Sequence, residues 1–283
     1  MAFLSGQTGV DIFLLLSGYG LGKSLSRPWN IFLMRRLISV LPPYYICLFI
    51  LFFIGIPRGG SIPDLLLHIF CLHGATHYFF GFDNAFWYMG LIIPVYILFT
   101  FTLRIGYPFI FIFLLIFIFF IMSLIFHNNE TISAHLVMRI PAIILGYLCA
   151  IKIHIKNLLS SIIFFVLFYT LLNTRLFRIE ITNIGFAIFY MILTYFLCHT
   201  NIFCKFFSHL GKISFPLYLV HDPIAIYFSN RFSVTQSNLG SIHVLEFLFI
   251  TPFVIYCTAN LLYIFNNYIY DTLLRFFPQL RSN

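Results

Sequence analysis

Long apolar runs, separated by short polar segments, recur from the start of the chain to its end. Most of them approach the length of a helix that crosses a bilayer, which needs about 20 apolar residues. They lie near residues 8–22, 40–56, 86–103, 108–126, 136–153, 158–173, 183–198, 213–229 and 243–265. The pattern predicts an all-α protein: a polytopic transmembrane helix bundle of about nine spans, forming one integral membrane domain over residues 1–283.

The composition supports this prediction. Hydrophobic residues make up 61% of the chain and charged residues 8%, whereas soluble domains carry charges at about a quarter of their positions. So little polar surface leaves no soluble domain, and the expected surroundings are a lipid bilayer. The 39 phenylalanines are interpreted as lipid-facing bulk.

Charge and cysteine usage exclude two classes of partner. The net charge of +8 does not indicate nucleic-acid binding, because the basic residues lie between apolar runs rather than on one face. The six cysteines form no CxxC pair and show no metal-ligand spacing, so we expect small packing residues and no metal site.

The basic residues also orient the predicted helices. Alternate connections divide the 16 Lys and Arg residues into sets of eleven and five, and cytoplasmic loops hold the excess. The C-terminus is therefore expected in the cytoplasm, and the stretch 57–85, with Asp64, His68 and His73, on the outer face. The N-terminus is also expected outside, which suggests that something precedes Met1.

Ionisable residues within the apolar runs are candidate site residues, because a charge at mid-bilayer costs about 2.5–3.5 kcal/mol on insertion scales. Asp11, Arg139, His221 and Asp222 stand out. One interpretation is that Asp11 and a cation pair to hold helices together. The other is that these residues together line a cavity.

Further candidates also allow two interpretations each. Ser17 and Gly18 form either a small-residue packing face or a close approach for a ligand. Trp87, like Tyr96 in the same run, is either an interfacial anchor or a cavity residue. Arg35 and Arg36 are either a topology signal or a fork for a phosphate-bearing cytosolic ligand; the motifs below favour the fork.

Several segments, in a fixed order, resemble the membrane acyltransferase 3 family, whose members modify bacterial surface polysaccharides and related acceptors. GVDIFLLLSGYGLGK is similar to the family's GVDxFFxxSGF segment, and FLMRRLISVLPPYY to its basic segment ending in proline and an aromatic residue. NAFWYMGLIIPVY resembles the Trp-containing segment, RIPAIILGYLCA the R-x-P-x-F-x-x-G helix, and LGKISFPLYLVH the last box.

The resemblance implies ten helices in a bacterial inner membrane. It also implies transfer of an acyl group, usually acetyl, from cytoplasmic acyl-CoA to a sugar hydroxyl or amine of a cell-surface polysaccharide or its lipid-linked precursor. No bound cofactor is implied. Arg35 and Arg36 would bind the CoA pyrophosphate. The residues that would line the cavity are Ser17, Gly18, Trp87, Tyr96, Arg139, Ser214 and Tyr218.

The family's first helix carries a histidine taken to be catalytic, and no residue before position 9 matches it. His221 and Asp11 are then the candidate catalytic residues, since acyl transfer needs a group that takes the acceptor proton. Two alternatives remain open. One is a truncated, non-catalytic acyltransferase-like remnant or regulator. The other is a transporter of lipid-linked sugar that uses Asp11, Arg139 and His221 along its pathway.

Overall fold

A computed structural model describes residues 3–54, 61–75, 82–107, 110–125, 139–151, 174–232 and 242–277. These residues contain helices and turns but no strand, which confirms the predicted all-α class. The helices are α1 Phe3–Lys23, α2 Trp29–Ile54, α3 Ile62–Ile69, α4 Trp87–Arg104, α5 Ile110–Ile125, α6 Ile140–Ala150, α7 Thr174–Leu197, α8 Asn201–Arg231 and α9 Ile242–Phe276. Two short 3-10 turns span His73–Ala75 and Asn84–Phe86.

Among the described residues, three helical segments are long and apolar enough to cross a membrane: α2, α4 and the part of α9 from Phe247 to Phe276. Large apolar side chains lie on exposed helix surfaces, with Phe53 80% and Phe249 75% exposed. Such surfaces are unfavourable in water and favourable in lipid. The chain is therefore an integral membrane protein, as predicted.

Eight of the nine predicted apolar runs coincide with a helix, and the run 158–173 lies outside the described residues. The number of spans stays a prediction. One boundary is clearly wrong, because α2 begins at Trp29 rather than near Val40, so Arg35 and Arg36 lie inside the helix and not before it. An apolar run ends at charged residues, whereas a helix continues through them when their long side chains can reach polar surroundings.

The short helix α3 was not expected in the outer stretch. Its start carries two local signals: the Ser61 hydroxyl accepts a hydrogen bond from the Asp64 backbone N–H at 3.3 Å, and Pro63 lies in the first turn. Eight residues are far fewer than the about 20 of a membrane span, so a search for long apolar runs does not find this helix. It ends before Cys71, whose φ of 55° turns the chain through the left-handed region.

The chain divides into two compact units, each made of two chain segments. The first unit is Met1–Phe32 with Val95–Phe203, and the second is Leu33–Pro94 with Cys204–Asn283. The prediction of one domain over the whole chain stays a prediction.

An aromatic core fills the first unit. The ring of Phe99 packs edge-on against Phe32 and Phe111 at 5.1 Å each, and Phe111 packs against Tyr147 at 5.2 Å. All four side chains are buried. Edge-on pairs add to the free energy of burial because the positive ring edge faces the negative ring face. The interpretation of phenylalanine as lipid-facing bulk therefore holds for residues such as Phe53 and is wrong for Phe32, Phe99 and Phe111.

Candidate functional site

The predicted site residues fall into both units. The first unit holds Asp11, Ser17, Gly18, Tyr96 and Arg139, and the second holds Arg35, Arg36, Trp87, Ser214, Tyr218 and His221.

Asp11 of α1 and Arg139, at the start of α6, form a buried ion pair. Nη1 of Arg139 donates to both carboxylate oxygens of Asp11 at 2.6 Å, and the two side chains are 2% and 0% exposed. The structure thus shows the first of the two interpretations, a pair that joins helices. The role of Asp11 as a catalytic residue stays a prediction.

Gly18 brings α1 and α6 into backbone contact. A Cβ at Gly18 would overlap the carbonyl oxygen of Ile143, and a Cβ at Gly146 would overlap that of Leu15. Small residues at such a crossing allow close approach, which is a main source of helix association in membranes. Of the two interpretations of Gly18, the structure shows helix packing, and Ser17 is half-buried beside it.

Trp87 and Tyr96 are both buried, at 5% and 3% exposure, so neither is an exposed interfacial anchor. Tyr96 belongs to the aromatic core of the first unit, with its ring perpendicular to that of Phe32 at 6.2 Å. Trp87 is the first residue of α4 and packs against Tyr88 at 6.4 Å.

In the second unit, α8 places His221 beside an aromatic pair. The ring of Tyr88 lies 5.7 Å from Tyr218, and Tyr218 lies 5.5 Å from His221. Nδ1 of His221 is 2.6 Å from the backbone oxygen of Tyr218, so it carries the proton of the neutral ring and donates it to this carbonyl. The lone pair of a neutral His221 is then on Nε2, on a half-buried side chain. Ser214 donates to its own helix, to the oxygen of Gly211 at 2.7 Å.

Arg35 and Arg36 occupy the N-terminal part of α2 and are half-buried. Adjacent residues of a helix point about 100° apart, so the two guanidiniums leave the helix in different directions. Together they place two permanent positive charges on one turn.

Three side chains that received no role from the sequence form a buried cluster in the second unit. Nδ1 of His68 lies 3.0 Å from Oδ1 of Asp64 and 3.0 Å from the Asp64 backbone oxygen. The ring of His73 stacks on that of His68, with centroids 4.0 Å apart and planes within 3°. Nε2 of His73 donates to the backbone oxygen of Phe86 at 2.8 Å. All three side chains are 0% exposed.

Burial sets the charge state of this cluster. It lowers the pKa of His68 to about 3, with a further contribution from His73, and it also lowers the pKa of His73. Burial likewise raises the pKa of Asp64 to about 6. At neutral pH both imidazoles are therefore uncharged and the carboxyl group is mostly ionised. The Nδ1–H of His68 donates to the Asp64 backbone oxygen.

The described residues contain no group of three His, Cys, Asp or Glu side chains arranged to bind a metal ion. The comparison with known families gives one result: a family model described as an acyltransferase domain, acyltransferase 3, matches residues 1–265. No curated protein and no solved structure gives a significant match.

Proposed function

The chain belongs to the membrane acyltransferase 3 family, and on that premise we propose that it transfers an acetyl group from acetyl-CoA to a sugar of a cell-surface polysaccharide or its lipid-linked precursor. The family makes the protein a membrane acyltransferase. The donor, the acyl group and the acceptor are our proposal, and no bound cofactor is part of it.

Arg35 and Arg36 support the choice of donor. CoA carries a pyrophosphate, and guanidinium groups match phosphate oxygens in both charge and fork geometry. The excess of basic residues on one side of the predicted topology assigns this end of α2 to the cytosol, where acyl-CoA is made. The same topology underlies our proposal of a cytoplasmic C-terminus, and the family underlies our proposal of a bacterial inner membrane.

The proposed reaction moves one acyl group and one proton. The acceptor oxygen attacks the thioester carbonyl, a C–O bond forms, the C–S bond breaks and CoA leaves as the thiol. His221 would accept the hydroxyl proton on Nε2, because its Nδ1 proton is committed to the Tyr218 carbonyl. The proton then returns to the departing sulfur.

The family match carries the proposal, and donor dependence tests it. Membranes that contain the chain receive radiolabelled acetyl-CoA, and label in polysaccharide is measured. The Arg35→Ala, Arg36→Ala double variant should lose at least about tenfold in activity at low donor concentration, since each charge-assisted hydrogen bond contributes about 1.5–3 kcal/mol. The activity of the Arg35→Lys, Arg36→Lys variant should lie between that of the parent and that of the double alanine variant, because lysine keeps the charge without the guanidinium fork.

Lys212→Ala is the matched control, because Lys212 is an exposed basic residue of the same unit and has no proposed role. It should label polysaccharide like the parent chain. Unchanged labelling by the double alanine variant would refute the donor site. Movement of lipid-linked sugar without any acyl-CoA requirement would favour the transporter instead.

A further inference from the structure

The buried cluster of Asp64, His68 and His73 connects α3 to the first turn of α4. Asp64 holds His68, His68 stacks on His73, and His73 donates to the Phe86 carbonyl at 2.8 Å. Phe86 is the residue immediately before α4. The cluster therefore ends where α4 begins.

We propose that Asp64, His68 and His73 form a positioning cluster that fixes the start of α4 and thereby sets Tyr88 against Tyr218, the residue that contacts His221. The inference rests on the proposed function in one respect only, the catalytic importance of His221. The arrangement itself is testable without any assay of acyl transfer.

The cluster is fixed to α2 on its other side. The Tyr44 hydroxyl donates to the His68 backbone oxygen at 3.0 Å, and the Tyr45 hydroxyl donates to the Ile69 backbone oxygen at 2.8 Å. Both acceptors lie at the C-terminal end of α3, where helix carbonyls lack partners within the helix. Two tyrosines of α2 thus hold the end of α3 in place.

A second contact presses the same segment onto α4. A Cβ at Gly90 would lie 2.7 Å from the Gly74 Cα and 2.8 Å from its nitrogen, so the backbones of these two glycines touch. His73 precedes Gly74, and its hydrogen-bond acceptor Phe86 lies one turn before Gly90. Displacement of His73 would therefore move the first turn of α4 at two points.

The contacts of the two imidazole rings fix their protonation and their tautomers. Two imidazolium rings stacked at 4.0 Å in a buried site would repel each other, so at least one ring must stay neutral. The Nδ1–H of His68 donates to the Asp64 backbone oxygen, and no described residue bonds to Nε2 of His68. His73 must keep its proton on Nε2 to donate to Phe86. Both rings therefore have a fixed tautomer.

From α4 the contacts lead to the proposed base. Tyr88 lies 5.7 Å from Tyr218, whose carbonyl accepts the Nδ1–H of His221. A shift of the first turn of α4 should thus disturb proton transfer at His221. It should leave donor binding at Arg35 and Arg36 nearly unchanged, so the predicted kinetic effect is on kcat and not on the KM for acyl-CoA.

The chain's two tryptophans allow a direct measurement, because Trp29→Phe leaves Trp87, the first residue of α4, as the only one. In this background, His73→Phe keeps a ring but removes the donor. We expect its Trp87 emission to shift to longer wavelength and kcat to fall about tenfold or more, with the acyl-CoA KM within about twofold. His73→Gln retains an N–H near the Nε2 position, so its Trp87 emission and its kcat should both lie close to those of the parent.

Should His73→Phe not fold, the pair His73→Gln and His73→Asn replaces it, because the shorter Asn amide cannot reach Phe86. His199→Phe is the control: His199 is exposed, lies in the turn after α7, and its Nδ1 is 3.3 Å from the backbone oxygen of Tyr195. The His199→Phe variant should change neither the Trp87 emission nor kcat.

An unchanged Trp87 emission in His73→Phe, or in His73→Asn if that pair is used, would overturn the positioning cluster. A shifted emission with unchanged kcat would overturn its link to His221. If the parent chain transfers no acyl group from acyl-CoA, the proposed function fails, while the emission of the His73 variants still decides whether the cluster positions α4.

Discussion

Arg139 and Asp11 are 128 positions apart in the chain, yet Nη1 of Arg139 lies 2.6 Å from both carboxylate oxygens of Asp11. Neither side chain reaches the protein surface. An isolated charge in such surroundings would be strongly destabilising, so each residue makes the other tolerable.

Removal of one partner should therefore cost more than removal of both. We expect Arg139→Leu to lower the free energy of unfolding by about 3–5 kcal/mol, because it leaves the Asp11 carboxylate buried without a counter-charge. The Asp11→Leu, Arg139→Leu double variant should recover much of this loss. Thermal unfolding in detergent measures all three proteins. A double variant less stable than the single one would show that the pair contributes more than charge neutralisation.

The two glycines at the crossing of α1 and α6 give a second prediction. Gly18→Ala and Gly146→Ala should each destabilise the chain by about 1–3 kcal/mol, since a Cβ there overlaps a backbone oxygen that cannot move without separating the helices. Gly185→Ala is the control: it lies in α7 of the same unit with open space around it, and alanine favours a helix interior. Equal melting temperatures for Gly18→Ala and Gly185→Ala would contradict the close crossing.

The sequence identified these residues but could not show what they do. Asp11 and Arg139 stand out because charge is rare within apolar runs, and Gly18 because it follows a small residue; the partners of each come from a distant helix. Pattern analysis reports local periodicity, so it predicts helices such as α1 and α4 well and tertiary contacts poorly.

The histidine cluster was missed for a different reason. Asp64 and His68 have the spacing of one helical face, but only if residues 62–69 are helical, and eight residues are far fewer than the long apolar runs that mark the other helices. His73 reaches His68 because Cys71 adopts a positive φ, which sequence would assign to glycine or asparagine. A local backbone turn that the residue type does not indicate thus assembles the cluster.

His221 gives the third prediction. His221→Ala should lower kcat by about 10²–10⁴-fold, the usual contribution of a general base, with little change in the KM for acyl-CoA. His209→Ala is a matched control on the same helix: His209 is paired with the Tyr256 hydroxyl at 3.2 Å on the exposed side of α8. Steady-state kinetics with labelled donor distinguish the two. Full activity of His221→Ala would remove His221 from the reaction.

The fourth prediction concerns acid and the cluster of Asp64, His68 and His73. Below pH 6.5 the unfolded chain protonates imidazoles that the folded chain keeps neutral, since the pKa of His68 falls to about 3 on folding and that of His73 is also lowered. The stabilisation from these histidines is thus complete above pH 6.5 and is lost as the pH falls toward 3. Asp64 acts in the opposite sense: its raised pKa of about 6 makes the folded chain bind a proton that the unfolded chain releases above 3.8.

Two histidines against one carboxyl group should make the net effect of acid destabilising, because between pH 6 and 4 the unfolded chain binds more of these protons than the folded chain does. Asp64→Asn keeps the backbone oxygen that accepts from His68 and removes the opposing titration, so its melting temperature should fall more steeply than the parent's from pH 7 to 4.5. His68→Phe should fall less steeply, because it removes a group whose pKa is lowered. Melting curves at fixed ionic strength measure both slopes. Equal slopes of melting temperature against pH for the parent and both variants would mean that the cluster does not keep its histidines neutral.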